Sequence, residues 1–142
     1  MKLLISACLL GTPCRYDGQS KALPGWKALA ERHELVPLCP EILGGLATPR
    51  PPAEKQGGRV VTQSGTDVTE AYRRGAEETL RLARELHCQA ALLKGKSPSC
   101  GRGQIYDGSF TRTLTQGDGV TAALLEEHGI PVFGDSEWEK LL

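Results

Sequence analysis

Short runs of continuous apolar residues alternate with longer segments whose apolar positions recur at helical spacing. Lys2–Ala7 is apolar on both faces, the pattern of a strand buried in a parallel sheet. Leu23–Arg32, with Trp26, Leu29 and Ala30 at helical spacing, predicts a helix, and Glu34–Leu38 a second short strand stopped by Cys39-Pro40. From Glu41 to about Gln63 the pairs Gly44-Gly45, Pro51-Pro52 and Gly57-Gly58 break any long element, so this stretch is expected to be loop-rich, with Arg59–Thr62 as a small strand. The clearest helix spans Asp67–His87: Val68, Tyr72, Ala76, Leu80, Ala83 and Leu86 form one stripe, and Asp67 with Glu70 makes a variant capping box. Gln89–Lys94 is a third buried strand. Gln104–Thr113 predicts a hairpin turning at Asp107-Gly108. Gly119–His128 is a helix, Ile130–Phe133 a fourth strand, and Ser136–Leu142 a closing helix.

Strands alternating with helices place the chain in the α/β class. The expectation is a single domain over residues 1–142, with a short, mostly parallel, Rossmann-like sheet flanked by helices. A small hairpin and long loops would sit at the C-terminal ends of the strands. A chain of 142 residues buries a sizeable core without disulfides. In open parallel sheets ligands bind beyond the carboxyl ends of the strands. Cys8, Cys39 and Cys100 each follow a predicted strand at that end, so residues dozens of positions apart are expected to converge there.

Composition narrows the reading. The 17 basic residues balance the 17 acidic ones, which gives no support for a partner held mainly through phosphates; nucleic acid is not the expected ligand. Five cysteines cannot all pair within one chain, and none forms a C-x-x-C pair, so unpaired thiols in a reducing, cytoplasmic setting are expected. Leu3 to Ala7 before Cys8 imitates a lipoprotein signal, but the run is only about five residues, against roughly 7–15 for such a segment. A buried strand explains the same letters. No stretch approaches the ~20 apolar residues of a membrane span.

Thiolates suit zinc, Cu(I) and iron–sulfur clusters, and three converging on one site leave a coordination position open; spacing alone does not choose the metal. Cys14 is either a fourth ligand or a neighbouring thiol, and Cys88, at the end of the long helix, reads as core. Glu41, two residues after Cys39, is placed for general acid/base work or for an ion pair. Ser97 and Ser99 flank Pro98 just before Cys100, and Gly101 and Gly103 allow close backbone approach; Ser99 and Gly101 are the candidates for substrate contact. Arg15, Arg50 and Arg102 are expected to pair with acidic loops, and His33, His87 and His128 to lie at the surface rather than ligate.

Five ordered blocks resemble one known family: CLLGTPCRYDG (8–18), CPEILGGLATPR (39–50), GTDVT (65–69), LLKGKSPSCG (92–101) and IYDGSF (105–110). Together they resemble the thiouracil desulfurase (TudS-type) family, long known only as a domain of unknown function, over nearly the whole chain. The resemblance implies a 4Fe–4S cluster held by Cys8, Cys39 and Cys100, its fourth iron free to take substrate sulfur. It also implies Glu41 as acid/base and Ser97 as catalytic serine. The implied activity is non-redox desulfuration of a small thiolated pyrimidine such as 2-thiouracil, releasing sulfide and the oxo-base. Three other readings fit the residues: a sulfur-transferase with a nucleophilic cysteine and no cluster, a non-catalytic metal-binding module using Cys14 as fourth ligand, and the same cluster chemistry on thiolated tRNA bases.

Overall fold

A computed structural model describes all 142 residues. In chain order the elements are β1 (Lys2–Ser6), a 3₁₀ turn (Ala7–Leu10), α1 (Trp26–Arg32), β2 (Glu34–Leu38), α2 (Pro40–Leu43), β3 (Ala53–Gln56), β4 (Arg59–Thr62), α3 (Thr69–Glu85), β5 (Ala90–Leu93), β6 (Gln104–Tyr106), β7 (Leu114–Gln116), α4 (Val120–Glu127), β8 (Val132–Gly134) and a 3₁₀ segment (Asp135–Leu141). β2, β1, β5 and β8 form one parallel sheet in that order, with Leu3 opposite both Leu35 and Ala90.

The period-two pattern of the strands builds two cores. Leu3, Ile5, Ala90 and Leu92 face α1 and the closing 3₁₀ segment, packing with Leu29, Leu23 and Leu141. Leu4, Ala91 and Leu93 face the other way, against Leu80 and Ala83 of α3 and Ala122 and Leu125 of α4. Because both faces are covered, the central strands are continuously apolar. The Leu3–Ile5 run is thus the middle of the sheet. No helix is long and apolar enough to cross a membrane.

Several elements depart from the sequence-based expectation. Arg59–Thr62 is the expected strand, β4, but it pairs with β3 in a hairpin turning at Gly57-Gly58, and the short α2 follows β2. Asp107-Gly108 is not a hairpin turn: β6 and β7 pair, but residues 107–113 connect them. The aspartate carboxylate instead accepts hydrogen bonds from Ser109. The buried Glu54 of β3 accepts the N–H groups of Gly108 and Phe110, docking the loop onto the β3–β4 hairpin. The expected capping box of α3 does not form, and Val68 takes the N-cap position. Asp67 accepts the Thr69 N–H, while Glu70 pairs with Arg73 instead of reaching back. Leu86, at the end of the anticipated stripe, is exposed. The last element is 3₁₀ rather than α.

One contact positions the rest of the site. α2 lies backbone to backbone on α3: a Cβ on Gly75 would stand 2.0 Å from the Pro40 carbonyl oxygen, and one on Gly44 2.0 Å from that of Ala71. Only glycine permits this approach, and it seats Glu41 of α2 beside Tyr72 of α3. Gly75→Ala is therefore expected to cost about 3 kcal/mol, the upper end of overpacking penalties. That corresponds to a thermal midpoint lower by roughly 10 °C. A midpoint equal to the parent's would show that the two helices have room to part.

Candidate active site

The carboxyl ends of β1, β2 and β5 deliver Cys8, Cys39 and the Lys94–Cys100 loop to one edge of the sheet. The crevice lies where the chain has wound outward from β1 in both directions, a switch point of the topology. A cleft of about 520 Å³ opens there, lined by Cys8, Cys14, Cys39, Cys100, Glu41 and Ser97 among others. Cys88 lies in the core between the sheet and α3, away from the cleft. No histidine lines the cleft.

Local chemistry holds each group. The Ser97 hydroxyl oxygen accepts the N–H groups of Cys100 (2.7 Å) and Ser99 (3.2 Å), so the serine shapes the turn that presents the cysteine. The same turn is bolted to α4: the carbonyls of Pro98 and Ser99 accept N–H groups of the first turn, which no residue inside the helix satisfies. A Cβ on Gly119 would meet the Ser99 carbonyl at 2.4 Å, so the helix start admits glycine there. From the other side, Ser6 Oγ lies 3.8 Å from Cys100 Sγ and accepts the Lys94 N–H at 3.0 Å, joining the ends of β1 and β5.

The anticipated substrate contacts at Ser99 and Gly101 are not at the cleft. Ser99 is 1% exposed, and its hydroxyl is engaged by Thr121 at 2.9 Å. Gly101 is walled in: a Cβ there would stand 2.7 Å from Ile105 and 2.8 Å from the Ser97 carbonyl. Both residues serve the turn, because the N-terminus of α4 draws the Pro98–Gly101 backbone inward.

Glu41 is gripped on both oxygens. Arg50 pairs with Oε2, and the Tyr72 hydroxyl donates to Oε1 at 3.0 Å. Burial opposes the charge on Arg50, but the Glu41 carboxylate outweighs it and holds the guanidinium protonated. Burial, then the nearby carboxylate, pushes the Tyr72 phenol well above its usual value. Arg15 pairs with Asp17, and Arg102 with Glu126 and Asp118. Sequence reasoning gave Arg50 a pairing role without its partner and read Tyr72 only as core. The available signal was a single phenol in an otherwise aliphatic stripe, since a buried Tyr hydroxyl usually finds a partner.

All five thiols are free. Burial, with Cys39 next in effect, pushes Cys8 up to about 11. Burial beside Cys39 and Cys8 pushes Cys14 up to about 12. Burial, then the Glu41 carboxylate, holds Cys100 well above the usual thiol range. Metal loading at Cys8, Cys14 or Cys100 would therefore release protons.

The donor set fits an iron–sulfur cluster. Three soft thiols from three separate strand ends face one cleft, and soft thiolates are the donors that iron–sulfur clusters take.

Comparison with known proteins agrees in kind. Residues 3–137 match the 2-thiouracil desulfurase family. The chain is 44% identical over 150 residues to the Bacillus subtilis (strain 168) protein YbbK, described as uncharacterized, with 99% of each chain covered. It also superposes on the solved structure of the 4Fe–4S-dependent thiouracil desulfidase TudS with a TM-score of 0.94 at 51% identity, covering 99% of this chain and 94% of that one.

Proposed function

The chain belongs to the 2-thiouracil desulfurase family, enzymes acting on a C–S bond, and from that premise we propose that it desulfurates a small thiolated pyrimidine at an iron–sulfur cluster. Supporting this is the convergence of three thiols from three parallel strand ends beside a carboxylate held by Arg50 and Tyr72. Cys8, Cys39 and Cys100 would hold a 4Fe–4S cluster, leaving one iron open. When bound, the cluster supplies a Lewis-acidic iron for the soft sulfur of a thiocarbonyl.

The remaining work falls to the chain. The net reaction exchanges C=S and water for C=O and hydrogen sulfide, with no electrons gained or lost. Glu41 takes a proton from the water that adds at the ring carbon and returns it as the C–S bond breaks. The Ser97 oxygen already accepts two backbone N–H groups, which leaves its own hydrogen to donate to the substrate. A neutral free base suits a chain without excess positive charge, and reduced thiols suit the cytoplasm.

The test is reconstitution without oxygen, with iron and sulfide counted per chain, followed by addition of 2-thiouracil. Stoichiometric uracil and sulfide are expected, with no added oxidant or reductant. Turnover by an iron-free preparation would instead establish the thiol-based sulfur-transferase.

A further inference from the structure

We propose that Arg50 and Tyr72 are positioning residues of this site: together they fix the Glu41 carboxylate, and Arg50 ties it to the loop behind Cys39. The inference rests on the proton-transfer role given to Glu41 above. It goes beyond that role in naming what aims the carboxylate and what couples it to the thiol wall.

The Arg50 side chain is only 6% exposed, and three of the residues Arg50 bonds, Glu41, Cys14 and Tyr16, line the cleft. Nη2 donates to Glu41 Oε2 and to the Cys14 carbonyl, the latter at 3.1 Å. Nη1 donates to the Ala47 carbonyl and Thr48 Oγ1, each at 3.2 Å. Its backbone N–H donates to the Tyr16 carbonyl at 2.7 Å. The Cys14 carbonyl is shared, because Cys39 Sγ lies 3.9 Å from it. One planar fork therefore spans the acid/base carboxylate, the loop after β1 and its own loop. A lysine has neither the reach nor the geometry to make all these bonds at once.

Tyr72 completes the grip from the opposite side. It projects from α3, whose backbone touches α2 through Gly75 and Gly44, so the phenol and the carboxylate ride on two elements in direct contact. An ionised carboxylate has about four lone-pair sites, and two remain for the cleft after Arg50 and Tyr72 have bonded. A side chain frozen in this way meets its substrate without a rotamer search, and a misplacement of about 1 Å costs roughly 100-fold in rate.

Arg50→Lys and Tyr72→Phe separate positioning from folding. With full iron content, kcat for 2-thiouracil is expected to fall roughly 10- to 100-fold in Arg50→Lys and about 10-fold in Tyr72→Phe, with KM within about threefold of the parent. A second readout uses iron-free protein, with alkylation by iodoacetamide located by mass spectrometry. Arg50→Lys should raise the alkylation rate of Cys39 several-fold, with buried Cys88 unchanged as internal reference; Tyr72→Phe should change neither. Parent-like kcat in both variants would overturn the proposal. So would a loss of kcat that merely follows lost iron, or Cys39 and Cys88 becoming reactive together. If the loaded parent itself released no sulfide, the desulfurase reading would fail; the Arg50 tie to the thiol wall would then stand or fall on Cys39 alkylation alone.

Discussion

Cys100→Ser protein prepared without oxygen is expected to retain little iron and to release sulfide from 2-thiouracil only at background level. Cys100 is buried, its N–H is fixed by Ser97 and its sulfur lies against Ser6, so the substituted side chain will occupy the same place. What changes is the donor. A serine hydroxyl is a hard ligand that resists deprotonation at neutral pH, where a thiol yields a soft thiolate to the metal. Loss of a mere outer-shell partner typically weakens metal binding 10- to 100-fold, and loss of one of three direct ligands should exceed about 100-fold. Cys88→Ser, at the opposite end of β5 and away from the cleft, should keep its iron. Cys14→Ser is the discriminating control: retained iron and turnover argue against a closed four-cysteine structural site, whereas loss equal to that of Cys100→Ser would revive it. Full iron and activity in Cys100→Ser would remove this residue from the ligand set.

The sheet was legible because its central strands, β1 and β5, are buried on both faces. Leu3–Ile5 and Ala90–Leu93 are apolar runs with no alternation, which water-facing strands do not show. Strand ends in turn located the cysteines, since a parallel sheet gathers its carboxyl ends on one edge. What stayed hidden depends on packing between segments far apart in the chain. Glu54 draws residues 107–113 onto β3, which no local turn rule anticipates at Asp107-Gly108. The α4 N-terminus consumes the Ser99 carbonyl and folds Gly101 inward, so the two residues beside Cys100 are turned away from the cleft. Glu41, Arg50 and Tyr72 meet only because Gly44 and Gly75 let two helices touch. Each glycine alone reads as a loop breaker or a weak helix position.

Glu41→Gln should lower kcat roughly 100- to 10,000-fold while leaving iron content unchanged, the range expected for removal of a positioned general base. The amide matches the carboxylate in shape but carries no charge. Its NH₂ group must also face either Arg50 or Tyr72, both of which are donors. Stability will therefore fall too. Arg50, 6% exposed, loses its counter-charge, and breaking a buried pair from one side costs about 3–5 kcal/mol where solvent is fully excluded. The Glu41 side chain is 13% exposed, which puts the cost toward the lower end. The double variant Glu41→Gln/Arg50→Met resolves the ambiguity, because an apolar side chain of similar length leaves no buried charge unpaired. Its thermal midpoint should recover only part of the way toward the parent's, because the Cys14 and Ala47 carbonyls lose the Arg50 donors, and its kcat should not recover. Recovery of both would mean that the carboxylate serves only to neutralise Arg50, and proton transfer would pass to Ser97 or to water alone.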